Sequence, residues 1–357
     1  MNELVSKSFT LLRFPLMIGV VMIHCDITDQ LNPNLQVQWA GNAMYLFSNV
    51  IGRFSVPMFF IISGFLFFRS GIFNKGTYMA KLRSRVKTLL IPYLLWNLIG
   101  FLYFVIKHYP PLCTVFQGVS EIDISFMNFL KAFWEFRFDG LGETKSMPID
   151  FPLWYIRDLI VVVLLSPLIY RLVKSGIALV IALGLLWFVF DIELIGIEMT
   201  GFFFFSLGAY FAVNKIDIAK AISPMQIVIP ITIIAVASII IDITTRGSVH
   251  HLLIHKFMIL TGIIMMFMWT VIVVKMNKSI SLIYKLAPAT FFVYALHGLY
   301  VATLRKGLCM VLQPTSNIAV VGTYILSTIL TILLGLICYY ILKRFCPSMC
   351  KLLNGGR

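Results

Sequence analysis

The chain is short of charge. Only 12% of its 357 residues are Asp, Glu, Lys or Arg, too few to give a soluble protein of this length a hydrated shell. Acidic residues are scarcest, 15 against 29 Lys and Arg. The six cysteines form no C-x-x-C pair, so neither a zinc ribbon nor a disulfide framework follows from their spacing. They read instead as small apolar residues in helices and a short cytoplasmic tail. No small-residue cleavage site follows the first apolar stretch, Phe9 to Cys25, so that stretch is expected to be retained as a first span. No internal repeat, low-complexity linker or second soluble domain is visible, and the whole of 1–357 reads as one membrane domain.

What is abundant is hydrophobicity: 60% of the residues, with 31 Phe. A bilayer span needs roughly 20 apolar residues. Stretches of about that kind run over 9–26, 43–68, 88–107, 153–170, 176–192, 199–213, 223–242, 255–275, 288–305 and 318–342. The expected fold is therefore all-α, a polytopic transmembrane bundle of about ten spans. With the N-terminus in the cytoplasm, the inner segments hold 18 Lys and Arg and the outer segments 8. The positive-inside rule then favours both termini on the cytoplasmic side. The net charge of +14 is accounted for by topology, and nucleic acid is not expected as a partner. One sizeable outer loop, 108–152, carries Glu121, Asp123, Trp134, Glu135, Asp139 and Glu143. Its length suggests a cover over a site or a contact with a polar acceptor.

Ionisable groups inside spans are costly and are functional candidates by default. Arg13 and His24 lie in the first span, eleven residues apart. At 100° per residue they fall within about 20° of one another around the helix, roughly 16 Å apart along it. A fixed cation near the inner side and an imidazole near the outer side thus share one stripe. An interfacial arginine and a hydrogen-bonded histidine would share it equally well. Arg53 lies in the second span, Arg157 and Asp158 open the fourth, and Tyr294 and His297 stand one turn apart in the ninth. Pro57 can kink the second span, and Ser63-Gly64 permits a close helix crossing. Ser63 has no base within a turn and reads first as packing. Arg83, Arg85 and Lys87, with Lys81, give four cations in seven residues. They suit phosphate binding or an anchor on anionic lipid. His250, His251 and His255 resemble a metal site only superficially, for the sequence offers no nearby Cys and no carboxylate beyond Asp242. Metal binding is not expected there.

Taken in order, the segments resemble the acyltransferase-3 family of membrane acyltransferases. The resemblance rests on Arg-x10-His (Arg13, His24), then Arg53 and the Val-Pro-x-Phe-Phe-x-x-Ser-Gly-Phe run from Val56 to Phe65. It continues through the basic loop ending in Pro92-Tyr93 and Leu-Trp-Tyr-x-Arg-Asp-Leu from Leu153 to Leu159, which includes Trp154. Phe-x-x-Gly-Ala-Tyr from Phe205 to Tyr210 and Phe-Phe-x-Tyr-x-x-His from Phe291 to His297 complete it. Each piece is weak alone. The ordered set covers nearly the whole chain.

The resemblance implies transfer of an acyl group, acetyl by default and succinyl or another short acyl as options. The donor would be cytoplasmic acyl-CoA, used as a substrate and not held as a bound cofactor. The acceptor would be a hydroxyl of an extracytoplasmic glycan or lipid-linked glycan. A bacterial cytoplasmic membrane is the expected location, with membrane lipids as further partners. On this reading Arg13, Arg83, Arg85 and Lys87 hold the CoA phosphates. His24 acts as general base or transient acyl carrier. Asp26 is the candidate to support His24, although two residues on it would point to the opposite side of a continuing helix. Arg53, Ser63, Trp154, Arg157, Asp158, Tyr294 and His297 would line the site, with Arg157 either facing a developing oxyanion or pairing with Asp158. The rival reading is a transporter or flippase for a lipid-linked glycan, weakened by the lack of a repeated half.

Overall fold

The computed structural model describes residues 3–32, 35, 38–71, 73–108, 125–135, 147–190, 192–194, 196–276 and 281–356. Glu121, Asp123, Asp139 and Glu143 of the outer loop lie outside the described residues. Helix α1, Glu3–His24, is followed by α2 (Gln38–Tyr45), which runs through a π-helical turn, Leu46–Ile51, into α3 (Ser55–Phe68). Next come α4 (Lys75–Arg85), α5 (Ile91–His108) and the short α6 (Phe126–Lys131). The middle of the chain forms α7 (Trp154–Leu164), α8 (Ser166–Ser175), α9 (Ala178–Val189), α10 (Met199–Val213) and α11 (Ile218–Ile222). The remainder is α12 (Met225–Thr244), α13 (His251–Lys275), α14 (Ser281–Leu286), α15 (Thr290–Leu312), α16 (Asn317–Phe345) and α17 (Pro347–Leu353). Among the described residues the one strand pair is Glu193–Leu194 against Ile197–Glu198, antiparallel. The all-α expectation holds.

Seven helical runs among the described residues are long and apolar enough to cross a bilayer, or eight if α8 and α9 together make one broken span. This differs from about ten expected crossings, and the middle of the chain supplies the difference. The apolar run over 153–170 is not one helix. It breaks at Leu165, where Pro167 starts a new helix. Helices α8 and α9 then meet at 113°. Helix α10 has 15 residues, a rise of about 22 Å against a hydrocarbon core of about 30 Å.

Burial sorts the helices into core and periphery. In the most apolar window of α1 61% of residues are buried, against 22% in α12, so α1 is central. Helix α12 turns Ile229, Ile233 and Ile240 outward, as a lipid-facing helix does. Helices α3 and α10 cross so closely that a Cβ on Gly64 would run into the Phe205 carbonyl, and one on Gly208 into that of Ile61. This reciprocal small-residue contact is the close approach expected of Ser63-Gly64. Helix α4 starts on a capping box, in which the Asn74 side chain accepts from Thr77 N–H and Thr77 Oγ1 accepts from Asn74 N–H. That box fixes where the basic helix begins.

The C-terminal segment does not hang free. Helix α17 folds back so that Trp96 Nε1 donates to the Leu353 carbonyl at 3.0 Å, and Asn354 Nδ2 donates to the Pro288 carbonyl at 2.8 Å. Among the described cysteines, Cys25, Cys309 and Cys350 are buried and Cys338 and Cys346 are exposed, all as free thiols.

Candidate active site

A cavity of about 210 Å³ opens inside the bundle between α1, α3, α7 and α15. Two cations, Arg13 from α1 and Arg85 from the end of α4, line it with Ser63, Tyr155, Thr290 and Tyr294. Ser63 Oγ and Tyr155 Oη are 3.0 Å apart. Thr290 Oγ1 is buried without a hydrogen-bond partner, so one polar atom of the wall is left to meet whatever enters. Phenylalanines from α3 and α15 supply much of the rest. One of them, Phe67, carries the Arg85 guanidinium 5.8 Å from its ring centre and the Lys81 ammonium at 4.9 Å. The Phe67 face holds Arg85 at the cavity and Lys81 beside it, and among the described residues neither pairs with a carboxylate. Arg83 and Lys87 are exposed on the same stretch and do not line the cavity. The four-cation run expected to act together is thus split, because helical spacing sends Arg85 inward and its neighbours out.

From the cavity the site continues along α15 toward the other end of the bundle. Tyr294, on the wall, donates its hydroxyl to the Pro152 carbonyl. One turn further, His297 is fully buried, and its imidazole lies 5.5 Å from that of His24, centre to centre. At that separation the edges of the two rings meet. Phe151 packs edge-on against the other side of His24, at 4.7 Å. His297 Nδ1 is 2.5 Å from the Tyr294 carbonyl. A carbonyl only accepts, so Nδ1 carries the proton, and Nε2 presents its lone pair. That Nε2 is buried and has no partner.

Other expected site residues are placed elsewhere. Asp26 does not turn toward His24: helix α1 ends at His24, and the Asp26 carboxylate is taken up by Thr28 N–H at 2.9 Å, Thr28 Oγ1 at 2.5 Å and Ser48 Oγ at 3.2 Å. It stabilises the turn that leaves the helix. Arg157 and Asp158 are buried and paired at 3.0 Å. The guanidinium also donates to the Trp134 carbonyl at 2.9 Å and to that of Gly196, and stacks over Trp134 at 5.4 Å. Asp158 accepts from Glu198 N–H at 3.0 Å. Of the two roles open for Arg157, pairing is the one realised: this pair ties α7 to the segments around Trp134 and Gly196–Glu198 and does not line the cavity. Trp154 opens α7 and packs on the core beside the cavity wall. Arg53 is exposed and reaches Asn49 Oδ1 at 3.4 Å, but it remains within electrostatic reach of His24.

Three contributors escaped the sequence reading. Tyr155 and Thr290 carry no periodic signal distinguishing them from packing residues. Asp150 is fully buried, both of its carboxylate oxygens lack partners, and it presses on Gly298, where a Cβ would meet Asp150 Oδ1 at 2.5 Å. Burial pushes its carboxyl well above the ordinary value. A carboxylate just ahead of an apolar run was the available signal.

The fold defines a multi-pass helical membrane protein that encloses a mostly apolar cavity lined by two arginines. A family model described as an acyltransferase domain matches residues 6–340, and the chain belongs to that acyltransferase-3 family. It is also similar to the succinoglycan biosynthesis protein ExoH of Rhizobium meliloti (strain 1021), with 28% identity over 178 residues. That match spans 49% of this chain and 45% of the relative, so less than half of the relative's length is matched. No solved structure matches.

Proposed function

We propose that the chain moves a short acyl group from acyl-CoA, bound from the cytoplasmic side, to a hydroxyl of an extracytoplasmic glycan or lipid-linked glycan. Acetyl is the default group and succinyl the main alternative. The observation that carries this reading is the cavity lined by Arg13, Arg85 and Tyr294, with the paired rings of His297 and His24 one helical turn beyond Tyr294. Two unneutralised cations at one end suit the CoA phosphates. A mostly apolar cavity suits a pantetheine arm. An imidazole at the far end suits either removal of the acceptor's hydroxyl proton or attack on the thioester carbonyl. His297, its tautomer fixed by the Tyr294 carbonyl, offers an acceptor nitrogen to the His24 ring and so acts as a positioning residue. A polysaccharide acceptor is supported by the name of the matched relative, a succinoglycan biosynthesis protein. The charge distribution supports cytoplasmic termini, and the family supports a bacterial cytoplasmic membrane.

The test uses membrane vesicles holding equal amounts of wild type or His24→Ala, given radiolabelled acetyl-CoA or succinyl-CoA and a crude extract of envelope glycans. Label entering glycan with wild type alone is the expected result. No transfer from any short acyl-CoA over a broad acceptor panel would turn the reading toward a transporter.

A further inference from the structure

We propose that Asp242, His251 and His255 form a binding site for a divalent transition metal of the zinc type, separate from the acyl-transfer path. Asp242 lies in the last turn of α12, and the two histidines open α13. His251 and His255 are spaced i, i+4, which sets both imidazoles on one helix face, the spacing by which helical histidine pairs chelate zinc. From the sequence, metal binding was not expected here, for want of a Cys or of a carboxylate beyond Asp242. The α12–α13 packing brings that carboxylate to the two histidines. His255 Nδ1 stands 3.0 Å and His251 Nδ1 3.9 Å from Asp242 Oδ1. One ligand atom from each residue fits within 4.8 Å of the other two. Bonds of about 2.0–2.2 Å to a common ion require the His251 and His255 rings to close on a point beside Asp242 by up to about 1 Å.

Two observations point to a ligand. Asp242 is fully buried, yet among the described residues its only ion-pair partners are these two imidazoles. A buried carboxylate faced by two imidazoles is a place where a divalent ion supplies charge compensation. In addition, His251 Nδ1 is buried with no hydrogen-bond partner, a lone pair or proton with nowhere else to go. Tyr45 Oη, 3.0 Å from Asp242 Oδ2 and 3.2 Å from His251 Nε2, closes the site from α2. It is the outer-shell donor that holds a ligating carboxylate in place. The Arg246 guanidinium sits outside this layer, over the Tyr45 ring at 4.4 Å and bonded to Asn42. Two nitrogens and one carboxylate oxygen suit Zn²⁺ better than Ca²⁺ or Mg²⁺, which favour all-oxygen shells. Bound there, the ion would clasp the α12–α13 hairpin to α2 at the end of the bundle that holds His24.

The experiment is equilibrium dialysis of the full chain, purified in detergent without a histidine tag, against buffered Zn²⁺, with bound metal measured by mass spectrometry. Wild type should retain one ion per chain. Asp242→Asn and His255→Gln should lose affinity by more than the roughly 10–100-fold that removal of a supporting residue costs, while His250→Gln keeps it. Co²⁺ added to wild type should give the visible absorption of a four-coordinate ion, a readout independent of whether the variants fold. Failure of wild type to hold an ion, retention of it by His255→Gln, or equal loss in His250→Gln and His255→Gln would overturn the site.

Discussion

His24 and His297 face each other across the α1–α15 contact with their ring centres 5.5 Å apart, although 273 positions separate them in the chain. Each was a single imidazole in the sequence, and the fold brings them together one helical turn beyond Tyr294, which lines the cavity. His24→Ala should remove glycan labelling almost completely, a loss of roughly 10²–10⁴-fold if the imidazole transfers a proton in the reaction. His297→Gln, which keeps a polar side chain, should lower kcat with little change in KM for acyl-CoA. An unchanged kcat would remove His297 from its positioning role.

Arg13 and Arg85 line the cavity, whereas Arg83 and Lys87 do not. Losing a hydrogen bond to a charged group costs about 1.5–3 kcal/mol, so Arg13→Met or Arg85→Met should raise KM for acyl-CoA by roughly 10–100-fold. Arg83→Gln and Lys87→Gln should change it by less than about threefold, as expected of exposed charges. Steady-state kinetics in vesicles separates the two pairs. Equal effects from all four would mean a diffuse basic patch binds the donor.

The Arg157–Asp158 pair is buried and shared with the Trp134 and Gly196 carbonyls. Arg157→Met alone should cost about 3–5 kcal/mol, since it strands a buried carboxylate. The double replacement Arg157→Met with Asp158→Leu should recover much of that. Thermal unfolding in detergent reads both. A single variant as stable as wild type would show that the pair is not the clamp between these segments.

Gly64 and Gly208 each sit against the other helix's backbone. Gly64→Val should force α3 and α10 apart and leave little folded protein by size-exclusion chromatography, while Gly322→Ala, in open space on α16, should be tolerated. Wild-type yield and unfolding temperature for Gly64→Val would contradict the crossing.

Asp150 is held above its ordinary carboxylate range by burial. A raised folded-state value means the native chain binds a proton that the unfolded chain has released. Stability from this group is therefore full below its unfolded value, near 4, and is lost as pH rises toward its folded value. Asp150→Asn should remove that dependence and raise the unfolding temperature relative to wild type above pH 5. An unfolding profile parallel to wild type at every pH would sink this account.

Composition and spacing by themselves determined that this chain is a helical membrane protein, because 60% hydrophobicity with 12% charge leaves no soluble solution. The ordered motifs from Arg13 to His297 also carried the family. Within one helix the sequence was a guide where Gly64 stands at a close crossing. What it did not decide were the relations between helices. The turn after α1 claimed Asp26, the apolar stretch at α8 and α9 bends by 113°, and α12 carried Asp242 to His251 and His255. Each of these depends on contacts between residues far apart in the chain. Such contacts leave no periodic mark on a sequence, and only the packing of one helix against another fixes them.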